Sequence, residues 1–282
     1  MFLKKIFFLF FVCVASVFAD STIEIVNRGD TLQKIAVQDA SAKHIDLNFR
    51  RSFAKLLVGD LRVSSHFRVD DEYLQSSYEG GPIENFLSDR KVDSILRFNI
   101  TQASGSIAAT VKMINAKNGT TISERTYQLN DQRRYPFLAH EIVAEANEQI
   151  GAPSMRWMEQ SVVFARYTEA KKSEIVISDY TLTYQRVMVT GGLNVFPKWA
   201  SSAQDAFYYT SYSGAEPTVY KYDLKSGSRT SIISSSGMVV CSDVSQDGRK
   251  LLLTMAPKDQ TDIYLYDTQT RNVKKITEYS GI

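Results

Sequence analysis

Val219-Tyr-Lys-Tyr-Asp223 and Ile263-Tyr-Leu-Tyr-Asp267 are one phrase written twice, and Ile175-Val-Ile-Ser-Asp179 is a third version of it. Asp179, Asp223 and Asp267 stand 44 residues apart. The same offset carries Val163-Phe-Ala-Arg-Tyr167 onto Phe207-Tyr-Tyr-Thr-Ser211 and Leu251-Leu-Leu-Thr-Met255. Short apolar and aromatic runs bounded by Gly, Ser and Asp read as strands. A fixed period in this range, built from strands and turns, is the signature of a β-propeller blade. Recurrence of the aspartate at one place in the repeat points to a turn role, its carboxylate accepting backbone N–H groups, rather than to a metal site.

Working outward, the most complete copy has strands at residues 195–199, 206–211, 218–224 and 229–234. The next has them at 239–243, 250–255, 262–267 and 273–277. The first copy supplies only 161–166, 173–179 and 185–189, without a convincing inner strand. That makes about three blades, whereas propellers close with about four to eight. An open arc leaves strand edges and apolar faces uncovered. Since the period would begin a fourth blade at Gly281, the expectation is a truncated chain or partial product. Three blades that associate into a closed ring stand as the alternative.

Upstream the grammar is different. Residues 46–59 read as a helix with Phe49, Phe53, Leu56 and Leu57 on one face and Gly59 as its stop. Residues 92–98, 107–115 and 120–129 read as strands, the last two joined at Asn118-Gly119, a strong hairpin signal. Residues 131–150 read as a helix with Pro136 in its first turn and a Leu138, Ile142, Ala146 stripe. The expectation is an α/β domain over residues 20–152 and a partial propeller over 153–282, joined tightly at Gly151-Ala-Pro153.

Lys4 and Lys5 precede an apolar run, and Val17-Phe-Ala19 places small residues at the −3 and −1 positions. Residues 1–19 therefore read as a secretory signal peptide cleaved after Ala19, too short to span a bilayer. Only Cys241 then remains of the two cysteines, so no intramolecular disulfide is expected. With 33 basic and 31 acidic residues and no basic run, nucleic acid and direct insertion into a membrane are not expected of the mature chain.

On these residues the chain resembles the TolB family, the periplasmic propellers of the Tol–Pal cell-envelope system. The residues that carry the likeness are the Ser245-Gln-Asp-Gly248 turn, a degenerate copy at Ser201-Ser-Ala-Gln-Asp205, Ile177-Ser-Asp-Tyr180, Asp60-Leu-Arg-Val-Ser-Ser-His-Phe67 and the helix with Ala139-His140 ending at Ile150-Gly151. The likeness runs from Ser21 to Ile282 in the family's order, behind the expected export signal. It implies an α+β chain: an N-terminal α/β domain with a mixed sheet, then an incomplete propeller of about three of six blades. It also implies that the missing inner strand of the first blade is supplied in the family by the C-terminal strand.

No catalytic set is legible. His44, His66 and His140 are scattered without metal-ligand spacing, and no nucleophile elbow, phosphate loop or dinucleotide fingerprint occurs. His140 reads as a packed or capping histidine, and no cofactor or metal is expected. What remains is binding. The alternating segment of Asp20, Ser21, Thr22, Ile23, Glu24, Ile25 and Val26 can add as a strand to another sheet's edge; the resemblance gives it the third domain of TolA as partner, with its exposure coupled to Pal binding. The resemblance also gives the Pal lipoprotein the mouth of the propeller channel, here residues 192–197 and 237–242, with Asn194, Phe196, Met238 and Val239 as the candidate contacts. Phe196 and Val239 as mere core filling is as good a reading of the residues. The function implied is a non-enzymatic periplasmic adaptor between TolA and Pal, serving outer-membrane integrity and constriction at cell division. A propeller gating domain of a truncated serine peptidase stands as the alternative, and a sugar- or lactone-directed propeller enzyme would need metal ligands that the arc lacks.

Overall fold

The computed structural model describes residues 32–80, 89–258 and 260–277. The expected signal peptide and the strand at residues 20–26 lie outside the described residues. The first sheet is mixed. Its centre is β1 (Gln33–Asp39), paired in parallel with β2 (Phe67–Gln75) on one side and β3 (Ser94–Ala103) on the other. β4 (Ser106–Asn115) and β5 (Thr121–Leu129) continue it antiparallel, in the order β2-β1-β3-β4-β5. Sequence reading misses β1 and β2. Five consecutive residues of β1 are buried, so it lacks the alternation that marks a half-exposed strand.

Helices α1 (Leu47–Ser64) and α2 (Tyr135–Gln149) pack on this sheet and bury Phe53, Leu57, Leu61, Leu138, Ile142 and Val143 against Ile35, Val37, Phe98 and Val111. Asp46 caps α1 by accepting the Phe49 N–H at 2.8 Å. The helix does not stop at Gly59 but runs one turn further, to Ser64, before Ser65 ends it in the left-handed region at φ 58°. A glycine inside a helix costs about 1 kcal/mol. Burying Leu61, which the extra turn makes possible, returns about 2 kcal/mol. The hairpin at Asn118-Gly119 also differs from expectation. Only Gly119 takes positive φ (71°), in a longer loop closed by Asn115 and Thr120, whose N–H and C=O meet at 2.9 Å.

Beyond a 3-10 turn at Arg156–Glu159 the chain forms three separate antiparallel sheets. The first has β6 (Val162–Glu169), β7 (Lys172–Ser178) and β8 (Gln185–Val189), in that order. The second has β9 (Asn194–Trp199), β10 (Ala206–Ser211), β11 (Thr218–Asp223) and β12 (Arg229–Ser234). The third has β13 (Val239–Val244), β14 (Lys250–Met255), β15 (Asp262–Asp267) and β16 (Val273–Lys275). The 44-residue echo is visible as register: Asp223 pairs with Ala206 and Asp267 with Lys250. β6 is an edge strand with no inner neighbour among the described residues.

The sheets stack through their faces. β10 shows how one strand serves two interfaces, because successive side chains point to opposite sides. Phe207 and Tyr209 pack with Ile175, Ile177 and Val189 of the first sheet. Tyr208 packs with Val239, Leu251 and Leu253 of the third. β9 accordingly touches β6 and β7 on one side and β13 on the other.

Candidate functional site

Up-and-down connection divides the loops between two ends. The loops that enter β9 and β13 lie at one end; the turns that leave β7, β9, β11 and β13 lie at the other. Asn194, Phe196, Met238 and Val239 belong to the entry end, and the structure gives them unlike environments. Asn194 is 1% exposed; its Nδ2 donates to the Gly191 carbonyl at 2.9 Å, and its backbone N–H donates to Ser173 Oγ at 2.8 Å. Val239 is fully buried in the core between the second and third sheets, and its carbonyl accepts the Thr210 hydroxyl at 2.7 Å. These two side chains hold the entry loops in place. Phe196 and Met238, 48% and 36% exposed, present apolar side chains to solvent.

Phe196 is held there by force of geometry. β9 bulges where Phe196 and Pro197 together oppose Tyr209, between the Val195–Thr210 and Lys198–Tyr208 pairs. Phe196 takes φ 55° in that bulge, a conformation that a bulky L-residue rarely adopts without compensation. The neighbouring entry loop is as tightly built: a Cβ on Gly237 would stand 1.9 Å from the Ala256 carbonyl oxygen.

At the opposite end Ser161, Pro197, Trp199, Gln204, Val244 and Gln246 line an open cleft of about 630 Å³. Its wall is fixed by Trp199 Nε1 and Gln204 Nε2, which donate to the Ser161 carbonyl at 3.1 and 2.8 Å. The recurrent aspartates also sit at this end, and all three act as turn acceptors. Asp223 Oδ1 accepts the Ser226 N–H at 2.7 Å, and Asp267 Oδ1 those of Gln269 and Thr270 at 2.9 and 2.8 Å. These bonds hold both carboxyls below their usual pKa.

Asp179 does the same for Thr181 and Tyr184, at 2.7 and 2.6 Å, and adds a partner that sequence reading misses. Its Oδ2 meets His140 Nε2 of α2 at 3.2 Å, while His140 Nδ1 meets Asp60 Oδ2 of α1 at 2.7 Å. Tyr180 donates its hydroxyl to the other oxygen of Asp60. His140, Asp60 and Asp179 are all essentially sealed from water. Burial alone would raise the Asp179 carboxyl, but His140, Thr181 and Tyr184 outweigh it and hold the pKa at about 2. Burial would likewise lower His140, and the two carboxylates reverse that, so its pKa is raised. Around the triad, Met155 and Met158 pack with Ala144 and Tyr180, and Trp157 sits edge-on to Tyr180 at 5.1 Å. This joins the α/β layer to the first antiparallel sheet. The available signal was a lone histidine on an apolar helix face and one aspartate of the repeat followed by Tyr180; nothing in their spacing shows that they meet.

Among the described residues no group of three or more His, Cys, Asp or Glu side chains is arranged to hold a metal ion. Cys241 is buried, which pushes its thiol up to about 12 and makes it unreactive. No helix of the described residues is long and apolar enough to cross a membrane.

No protein-family model matches the chain. Individual relatives do. It is 43% identical over 281 residues to the Tol-Pal system protein TolB of Campylobacter jejuni, covering 99% of this chain and 65% of the relative. To TolB of Wolinella succinogenes it is 41% identical over 271 residues, covering 95% and 64%. Helicobacter hepaticus TolB is 38% identical over 263 residues, covering 93% and 62%. The crystal structure of TolB from Acinetobacter baumannii superposes with a TM-score of 0.68 at 18% identity, covering 89% of this chain and 62% of that one. The chain thus spans less than two thirds of the length of these relatives.

Proposed function

We propose, from the premise that this chain belongs to the TolB family of Tol-Pal system proteins, that it is a non-enzymatic adaptor of the periplasm, exported by a signal peptide cleaved after Ala19. In this reading it links the TolA periplasmic domain to the Pal lipoprotein and so serves outer-membrane integrity and constriction at cell division. Residues 20–26 add as a strand to TolA, and the entry end of the inner strands receives Pal. Phe196 and Met238 make the side-chain contacts there, and Asn194 and Val239 hold the loops that present them.

The observation that carries the reading is Phe196: an aromatic side chain 48% exposed on a left-handed bulge of an inner strand. Such a conformation costs about 1–3 kcal/mol and persists where surrounding structure imposes it, commonly at binding surfaces. A large aromatic displayed to solvent from a rigid strand is the kind of anchor that dominates protein interfaces. Two titrations test the proposal, one with the soluble part of Pal and one with the TolA periplasmic domain. Removing residues 20–26 is expected to abolish TolA binding and leave Pal binding in place. Unaltered TolA affinity after that deletion overturns the N-terminal assignment.

A further inference from the structure

The geometry points to a proton-operated latch at the junction between the α/β layer and the first antiparallel sheet: His140, clamped between Asp60 and Asp179, holds the two parts together while both ring nitrogens carry a proton and loosens them on losing one. A neutral imidazole has one N–H, and an ionised carboxylate only accepts. Here both nitrogens face carboxylate oxygens, at 2.7 and 3.2 Å. Only the imidazolium satisfies both contacts. When it loses a proton, one carboxylate faces a lone pair inside a site that water does not reach, which is the costly arrangement for a buried charge.

The partners come from different layers, which makes this a latch rather than local packing. Asp60 lies on α1, His140 on α2, and Asp179 in the turn after β7. The titratable groups that face His140 are Asp60 from α1, and Asp179 and Tyr180 from the turn, with the Tyr180 ring 4.7 Å away. Tyr184 packs on Phe137 of the same helix, and Tyr135 lies close enough to Asp179 to feel its charge. The 3-10 turn at Arg156–Glu159 brings Trp157 and Met158 to the junction; its charges are engaged elsewhere, Arg156 with Glu148 and Glu159. Among the described residues no second cation forms an ion pair with either carboxylate.

The raised pKa of His140 gives the direction of the switch. A group whose folded value lies above its unfolded one stabilises fully below the unfolded value, about 6.5 for histidine, and loses that stabilisation as pH rises through the folded value. The latch is therefore closed in mild acid, below about 6.5, and opens as pH rises through the raised folded value. It stands on the junction's own contacts, independent of which partners the far end binds.

Imidazole nitrogen resonances of the unmodified chain, followed from pH 6 to 10, test this directly, together with amide hydrogen exchange. The expected result is a His140 midpoint above about 6.5, with both nitrogens protonated at pH 6. Exchange of the Thr181 and Tyr184 amides, both bonded to Asp179, should accelerate tenfold or more beyond the intrinsic pH dependence across that midpoint, while β10 amides stay protected. A Tyr180→Phe variant, which removes one donor from Asp60 and leaves His140 in place, should move the midpoint upward. A singly protonated ring at pH 6, junction amides indifferent to the titration, or an unmoved midpoint in the variant overturns the latch.

Discussion

The two ends of the antiparallel sheets are built on opposite terms. At the junction end three ionisable side chains are sealed from water and satisfied by one another and by the turn. At the entry end two apolar side chains are pushed into solvent, one of them on a strained backbone. At the junction the polar groups are paired and Met155 and Met158 are buried, although Trp157 and Leu182 beside them are about half exposed. The entry end is unfinished, since exposing Phe196 and Met238 gains nothing for the isolated chain.

That contrast orders the consequences of substitution. His140→Ala should be the most damaging change, because it leaves Asp60 and Asp179 buried without their cation. Loss of one partner from such a cluster costs about 3–5 kcal/mol, read as a drop in unfolding free energy under denaturant. A loss below about 1 kcal/mol would show that water or rearrangement reaches the triad. Gly237→Ala comes next. Its methyl would collide with the Ala256 carbonyl, and forcing the two loop segments apart should cost about 1–3 kcal/mol, read as a lowered midpoint of thermal unfolding. Phe196→Gly should reverse the sign. Relief of the left-handed conformation should raise stability by about 1 kcal/mol, while the loss of the ring weakens partner binding. Smallest is Met238→Ala, expected within about 0.5 kcal/mol of the parent because the side chain is well exposed.

Acid separates the ends in another way. Asp179 is held at about 2, below its ordinary 3.8, so its contribution is present above 3.8 and is lost only as pH falls through about 2. Protection of the Thr181 and Tyr184 amides should therefore persist from pH 7 to 4. Early loss of that protection would show the carboxylate to be less well satisfied than its hydrogen bonds imply.

Much of this architecture could be read from the residues, and the exceptions share a physical cause. The repeat was legible because strands on sheet faces carry alternating apolar side chains and their turns reuse aspartate in one role; Asp223 and Asp267 do what their recurrence suggests. Among the described residues β6 pairs with β7 alone. β1 was not legible, because a central strand buried along most of its length has no alternation to betray it. The end of α1 was misplaced because local propensity at Gly59 is weaker than the tertiary burial of Leu61. At the entry end the family resemblance singled out Asn194, Phe196, Met238 and Val239 alike; only coordinates separate the buried pair from the exposed pair. The junction triad was the least legible feature. Its members are 80 and 39 residues apart and are brought together only when the two layers dock.

The most direct test of the contrast between the ends is a calorimetric titration of soluble Pal with three versions of this chain: the parent, a Phe196→Ser Met238→Ser double variant at the entry end, and a Gln246→Ala variant in the cleft at the other end. The account predicts at least tenfold weaker binding for the double variant and parental affinity for Gln246→Ala. Parental affinity in the double variant, with its fold intact by circular dichroism, would contradict it.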